Sequence, residues 1–190
     1  METQKRCSWC GTDSQYVKYH DQEWGVPVYD DDKLFEFLIL ETFQAGLSWI
    51  TILKKRENFS LALDNFDYHK IASYDDAKYE ELLNNSGIIR NKLKIKATIS
   101  NAIAFLKIQN EYGSFSKYIW SFVDGKPIIN KWKTTSEIPA TTPLSDTISK
   151  DLKKKGFKFV GSTVVYAHMQ ATGMVNDHIL DCFRHKEVNG

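Results

Sequence analysis

The stretch Asp30-Asp31-Asp32-Lys33-Leu34-Phe35-Glu36-Phe37-Leu38-Ile39-Leu40-Glu41-Thr42-Phe43-Gln44 reads as the start and body of a helix. The three aspartates offer a carboxylate to the first free backbone N–H groups. Leu34, Phe35, Leu38, Ile39 and Thr42 then share one face at the 3.6-residue period. The same period predicts further helices over 15–22, 48–63, 75–85, 91–110, 114–121, 145–155 and 162–173. Gly87, Gly113, Gly156 and Gly173 stand where stops are expected, because glycine ends a helix in the left-handed region without a steric cost. Pro127, Pro139 and Pro143, with the threonine-rich stretch Thr134 to Thr142, mark one long connection. The one β-like run, Phe157 to Tyr166, is interrupted by Gly161 and reads equally as a hairpin followed by a helix. These patterns predict an all-α fold, a single domain over 1–190 built as two helical lobes, with the N- and C-terminal segments in one lobe.

At 42% apolar and 26% charged residues the composition is that of an ordered soluble protein and argues against disorder. No apolar run approaches the ~20 residues of a membrane span, and Met1 to Cys10 is too polar for a secretion signal. Three cysteines do not make a disulfide framework, which leaves metal binding or a free thiol in a cytoplasmic protein. The net charge of +1 weighs against nucleic-acid binding, but the charge is unevenly placed. Lys54-Lys55-Arg56, Arg90 with Lys92, Lys94 and Lys96, and Lys150 to Lys158 are basic clusters, while Asp30 to Asp32 and Asp75 to Glu81 are acidic. Such runs are ordinarily solvated helix faces and are only compatible with DNA binding.

His178 and Cys182 lie four apart, so on a helix they share a face and can grip one ion. Cys7 and His20 can supply two more ligands, with Cys10 competing for the thiolate position. A Cys2His2 set suits tetrahedral zinc and, with all four positions filled, implies a structural ion. Either half alone is more often core packing or coincidence. His69, His168 and His185 show no partner spacing and read as surface or core residues.

Between residues 9 and 49 the chain concentrates Trp9, Tyr16, Tyr19, Trp24, Gln44 and Trp49. Aromatics at this density usually mean core. What lifts the cluster is Glu41, a carboxylate in an apolar helical stretch, which is costly to bury unless something partners it. Aromatic walls around one carboxylate suit a flat cation, through ring faces and a directional acceptor together.

Several longer motifs stand in fixed order: Tyr19-His20-Asp21-Gln22-Glu23-Trp24-Gly25-Val26-Pro27, Gln44-Ala45-Gly46-Leu47-Ser48-Trp49 and its continuation to Arg56, Gly87-Ile88-Ile89-Arg90, Trp120-Ser121-Phe122-Val123, Gly156-Phe157-Lys158-Phe159-Val160-Gly161, and Val175-Asn176-Asp177-His178. In these the chain closely resembles the Tag family of DNA-3-methyladenine glycosylases, from about Arg6 to Cys182. The resemblance implies a helix–hairpin–helix glycosylase-like fold in which one structural Zn2+, held by Cys7, His20, His178 and Cys182, joins the two chain ends. Cys10 is not a ligand in that pattern. It implies Glu41 as the catalytic-site carboxylate and, with Tyr19, as a hydrogen-bonding partner of a flipped base. Trp49 would stack on that base, while Tyr16, Trp24, Trp9 and Gln44 would complete the pocket. Gly46 and Leu47 look like the wedge that fills the gap left in the duplex. Lys158, Gly161, Ser162 and Thr163 fall on a DNA-gripping hairpin, where glycine turns and a helix start present N–H groups to a phosphate.

One departure from the wider superfamily bears on mechanism. Where many relatives carry a catalytic aspartate the chain has Asn176, with Asp177 one place off and expected to point elsewhere. No lysine stands at Ser162 or Thr163 to form a Schiff base. The resemblance therefore implies a monofunctional glycosylase that hydrolyses the base–sugar bond of 3-methyladenine in double-stranded alkylated DNA, releases the free base, and has no lyase activity. It is expected as a cytoplasmic monomer, associated with the nucleoid when acting on DNA. A non-catalytic sensor of alkylated DNA is the alternative. A zinc hydrolase comes third, since it needs an open coordination position.

Overall fold

The computed structural model describes residues 4–188, and their secondary structure is almost wholly helical. In chain order the helices are α1 (Ser14–Gln22), α2 (Asp31–Gln44), α3 (Trp49–Leu53), α4 (Arg56–Ala62), α5 (Tyr68–Ile71), α6 (Asp76–Asn84), α7 (Lys92–Tyr112), α8 (Phe115–Trp120), α9 (Pro143–Lys154), α10 (Ser162–Ala171) and α11 (Phe183–Glu187). Among the described residues, no helix is long and apolar enough to cross a membrane.

Helix α2 begins as its sequence predicts. Asp30 is the N-cap and accepts from the Lys33 N–H. Asp31 reaches the next element, accepting from the N–H groups of Phe115 and Ser116 at the start of α8. The rest of α2 departs from the one-faced stripe. Every residue from Phe37 to Phe43 is buried, Glu41 included. A helix buried all round needs partners on all sides, and α2 touches α3, α7, α8 and α10. It is the axle of the molecule and carries the carboxylate of interest in its last turn.

The helix expected over 48–63 is two helices, α3 and α4. Lys55 donates its N–H three residues back to Ile52, tightening the turn, and Arg56 is held by Glu23 and Glu36 at 2.7 Å each. Gly113 and Gly156 adopt positive φ after α7 and α9, as their stop positions require. Gly173, after α10, is also obligatory for space: a Cβ there would sit 2.4 Å from backbone atoms of Val26 and Pro27. Gly87 instead lies in a turn with ordinary φ. The β-like run becomes a turn leading into α10. The strands that do form are two residues each, Ile128–Ile129 (β1) and Val175–Asn176 (β2), paired in parallel.

Helices α9 and α10 pack together, and the segment between them is pinned by Asn101 of α7. The fully buried Asn101 donates to the Lys158 carbonyl at 3.0 Å and accepts from its N–H at 2.7 Å. We expect Asn101→Ala to lose about 2 kcal/mol, roughly 4–8 °C in a thermal melt, because both bonds go at once.

The chain ends meet as the sequence predicts. The Phe183 N–H donates to the Lys5 carbonyl at 3.0 Å, and Lys5 pairs with Asp181.

Candidate active site and metal centre

A pocket of about 300 Å³ opens between the N-terminal segment, the end of α2 and the middle of α10. Trp9, Tyr16, Tyr19, Trp24, Glu41, Gln44 and Trp49 all line it, so the structure gathers into one cavity residues spread over the first 49 positions. The aromatic rings form a connected wall. Trp9 lies 5.1 Å from Tyr16 and 4.9 Å from Trp24, centroid to centroid, and Tyr19 lies 5.3 Å from Trp49. The volume is at the small end for ligand sites and suits one flat base.

Glu41 is 3% exposed, and its Oε2 is buried with no hydrogen-bond partner. Burial pushes the carboxyl up to about 8, which favours its protonated form at neutral pH. The Trp49 indole N–H is likewise buried without a partner. Burial first, and the charge of Glu41 next, raise the Tyr19 phenol well above its usual range. Orphaned polar groups in a buried aromatic cavity are what a site holds when its partner is the ligand.

The raised carboxyl has a consequence for stability. Between about 4.5, its ordinary value, and about 8, the folded chain keeps a proton that the unfolded chain has lost. Stability therefore falls as pH rises through that window, by up to about 1.4 kcal/mol per unit. Glu41→Gln removes this titration, so the melting temperature of the variant should gain on the parent from pH 5 to about 8 and then level off. Parallel curves would place the carboxyl in a wetter setting.

Sequence reasoning missed the other side of the pocket: Thr135, Ile138 and Pro139 from the long connection, and Ala167 and Gln170 from α10. Their spacing carried no signal, because the connection has no periodicity and α10 reads as ordinary core. Gln170 donates to Asp177, which is fully buried and also accepts from Asn130, Trp132 and Tyr166. Asp177 thus does point elsewhere, its charge spread over four donors. Asn176 is buried and bonded to the His185 carbonyl and the His178 N–H. It does not line the pocket.

Gly46 and Leu47 form an exposed turn directly after α2, with Gly46 at φ +85° and Leu47 40% exposed. Lys158 and Thr163 are exposed, whereas Gly161 and Ser162 are half-buried, and the Ser162 hydroxyl bonds to Ser145. Much of the basic charge is already used inside the molecule. Lys54 pairs with Asp13, Arg56 with two glutamates, and Lys155 with Glu111.

Opposite the pocket wall, Cys7, His20, His178 and Cys182 are all buried, and their ligand atoms lie within 4.8 Å of one another. Cys182 Sγ is 3.5 Å from both His20 Nε2 and His178 Nδ1, and Cys7 Sγ is 3.7 Å from His178 Nδ1. A tetrahedral ion with Zn–S and Zn–N bonds of ordinary length needs S···N edges of about 3.6 Å. The outer ring nitrogens are spoken for: His20 Nδ1 bonds to Asp21 at 2.7 Å, and His178 Nε2 to the Trp24 carbonyl at 2.9 Å. This fixes both tautomers with a bare nitrogen turned toward the sulfurs, as ligating histidines require. The four residues can hold a metal ion. Cys10 stays outside, its thiol donating to the Cys7 carbonyl. His168 and His185 are core residues, burial pushing His168 down to about 4, and His69 is exposed.

The chain is 49% identical to DNA-3-methyladenine glycosylase 1 of Escherichia coli (strain K12) over 178 residues, 94% of this chain and 95% of that one. It is 48% identical to the Haemophilus influenzae DNA-3-methyladenine glycosylase, covering 93% and 96%. A crystal structure of 3-methyladenine DNA glycosylase I superposes with a TM-score of 0.92 at 52% identity, covering 94% of this chain and 98% of that chain. The Staphylococcus aureus enzyme, solved for the structural basis of 3-methyladenine recognition, gives 0.92 at 37% identity over 97% and 96%. The family described as methyladenine glycosylase matches residues 9–185. The chain belongs to that family.

Proposed function

We propose that this protein begins base-excision repair by cutting 3-methyladenine from alkylated DNA, hydrolysing the bond between base and sugar and releasing the free base. The observation that carries this reading is the buried, unpartnered Glu41 carboxyl in a pocket walled by Trp9, Tyr16, Tyr19, Trp24 and Trp49.

The chemistry suits a site without a strong general base. Methylation at N3 makes adenine a cation and hence a good leaving group, so the protein has to flip, hold and orient rather than protonate. Flipping a nucleotide costs a few kcal/mol, less for a poorly stacked lesion. Glu41 and Tyr19 hydrogen-bond the edge of the base, Trp49 stacks on it, and Gln44 closes the rim. A positive charge entering the pocket favours the Glu41 carboxylate, so base entry is coupled to loss of its proton. Gripping the cation too well would stabilise the ground state. Selectivity therefore rests on shape and hydrogen bonds, and ordinary bases fail because their bonds to sugar are much stronger. Water is the nucleophile: no lysine stands at Ser162 or Thr163, and lyase chemistry is not expected.

On the DNA side, Gly46 and Leu47 act as the wedge in the double helix. The turn from Lys158 to Gly161 and the α10 start at Ser162 and Thr163 grip a phosphate, in a helix–hairpin–helix arrangement supported by the α9–α10 pairing. Cys7, His20, His178 and Cys182 hold one zinc ion. With four protein ligands it has no open position for substrate, so its contribution is structural. We read the chain as one domain, acting as a monomer on nucleoid DNA in the cytoplasm.

Incubation with N-methylated duplex DNA and chromatography of the released bases is the direct test. Free 3-methyladenine should appear with no strand cleavage. Tight binding of the methylated duplex with no base released would instead make the protein a sensor.

A further inference from the structure

The sequence groups Lys94 with a solvent-facing basic cluster, but the structure buries it to 6% exposure. Its ammonium donates to the Phe43 carbonyl at 2.8 Å and the Ala45 carbonyl at 2.6 Å. Both acceptors belong to the junction where α2 ends and the exposed Gly46-Leu47 turn begins. The last carbonyls of a helix have no partner within it and carry its negative end. Lys94 supplies both the donor and the charge there, from the first turn of α7. One further bond closes the turn, from the Leu47 N–H to the Gln44 carbonyl at 2.6 Å.

We infer that Lys94 is a positioning residue for duplex opening: it clamps the end of α2 so that Leu47 is held out, at a fixed distance from Glu41, before DNA arrives. The inference rests on reading Gly46-Leu47 as the wedge. Lys94 touches neither base nor phosphate in this account. Its contribution belongs to the step that separates the lesion from its partner strand, and disappears where there is no partner strand.

The test compares release of 3-methyladenine from methylated poly(dA)·poly(dT) and from single-stranded methylated poly(dA). Lys94→Met keeps the length of the side chain and removes the donors. It should lower the duplex rate by 10-fold or more, keep the single-strand rate within 3-fold of the parent, and leave the Kd for free 3-methyladenine unchanged by tryptophan fluorescence. Lys94→Arg, which retains donors and charge, should recover most of the duplex rate. Equal losses on both substrates would reduce Lys94 to a general stabiliser and overturn the inference, as would no loss on either. If Lys94→Met does not fold, Lys94→Gln, whose amide reaches one carbonyl only, is judged by the same duplex-to-single-strand ratio. Leu47→Ala separates the two readings. If it loses duplex activity while the Lys94 variants keep the parental ratio, the wedge stands and the clamp falls. If it keeps full duplex activity, Leu47 is not the wedge, whatever the Lys94 variants do.

Discussion

Glu41→Gln should release 3-methyladenine from methylated DNA at least about 100-fold more slowly than the parent, while folding normally. The geometry explains why so conservative a change matters. Glutamine fills the same volume at the end of α2, so the aromatic wall keeps its shape. What is lost is an oxygen that can give up its proton and turn acceptor when a cationic base enters. An amide can neither ionise nor present two acceptors, and it aims a fixed N–H at the base edge. Sites built to hydrogen-bond a substrate commonly lose 10²-fold or more when one partner is mismatched, because the buried groups on both sides are left unpaired. The readout is single-turnover base release at saturating DNA, with circular dichroism as the control for folding. A variant as fast as the parent would remove Glu41 from the reaction and leave the aromatic pocket to act by stacking alone.

The second large effect concerns the clasp between the chain ends. Purified protein should carry one equivalent of zinc, and Cys182→Ser should carry none. Structural zinc contributes ~10–16 kcal/mol in small peptides that have no other core. Here a large apolar core persists without it, so a loss of about 5 kcal/mol is the reasonable scale, or roughly 10–20 °C in melting temperature for a chain of this size. Activity should fall with it, because α1 carries a ligand, His20, next to Tyr19 of the pocket, and Trp9 packs 5.2 Å from the His20 ring. Cys10→Ser is the matching control and should keep both its zinc and its stability, since that thiol donates to the backbone carbonyls of Cys7 and Gly11 and stands outside the ligand cluster. Cys182→Ser protein that retained a full equivalent of metal and melted like the parent would refute the clasp.

How much of this is visible in sequence depends on the range of the forces involved. Helix α2 is legible because its cap and its period are local: Asp30 bonds Lys33 three residues on. The N-terminal pocket wall is legible because unusual residue types crowd into 40 positions. The far wall is not, since Ile138 and Gln170 reach the cavity only through tertiary packing. The parallel pairing of Ile128–Ile129 with Val175–Asn176 is invisible for the same reason, two residues being too few to show alternation. Lys94 is the sharpest case. A lysine among lysines reads as surface, and only the end of another helix 49 positions away explains why it is inside.

A metal clasp at Cys7, His20, His178 and Cys182 would also set an order of events during synthesis. Cys7 leaves the ribosome 171 residues ahead of its partner His178. The nascent chain can assemble α2 and the helices around it while the ligands near its start stand open. The ring can close and fix the Trp9 wall only after His178 and Cys182 have emerged. A product terminated before His178 lacks two of the four side chains of that ring, and with them the means to lock its pocket.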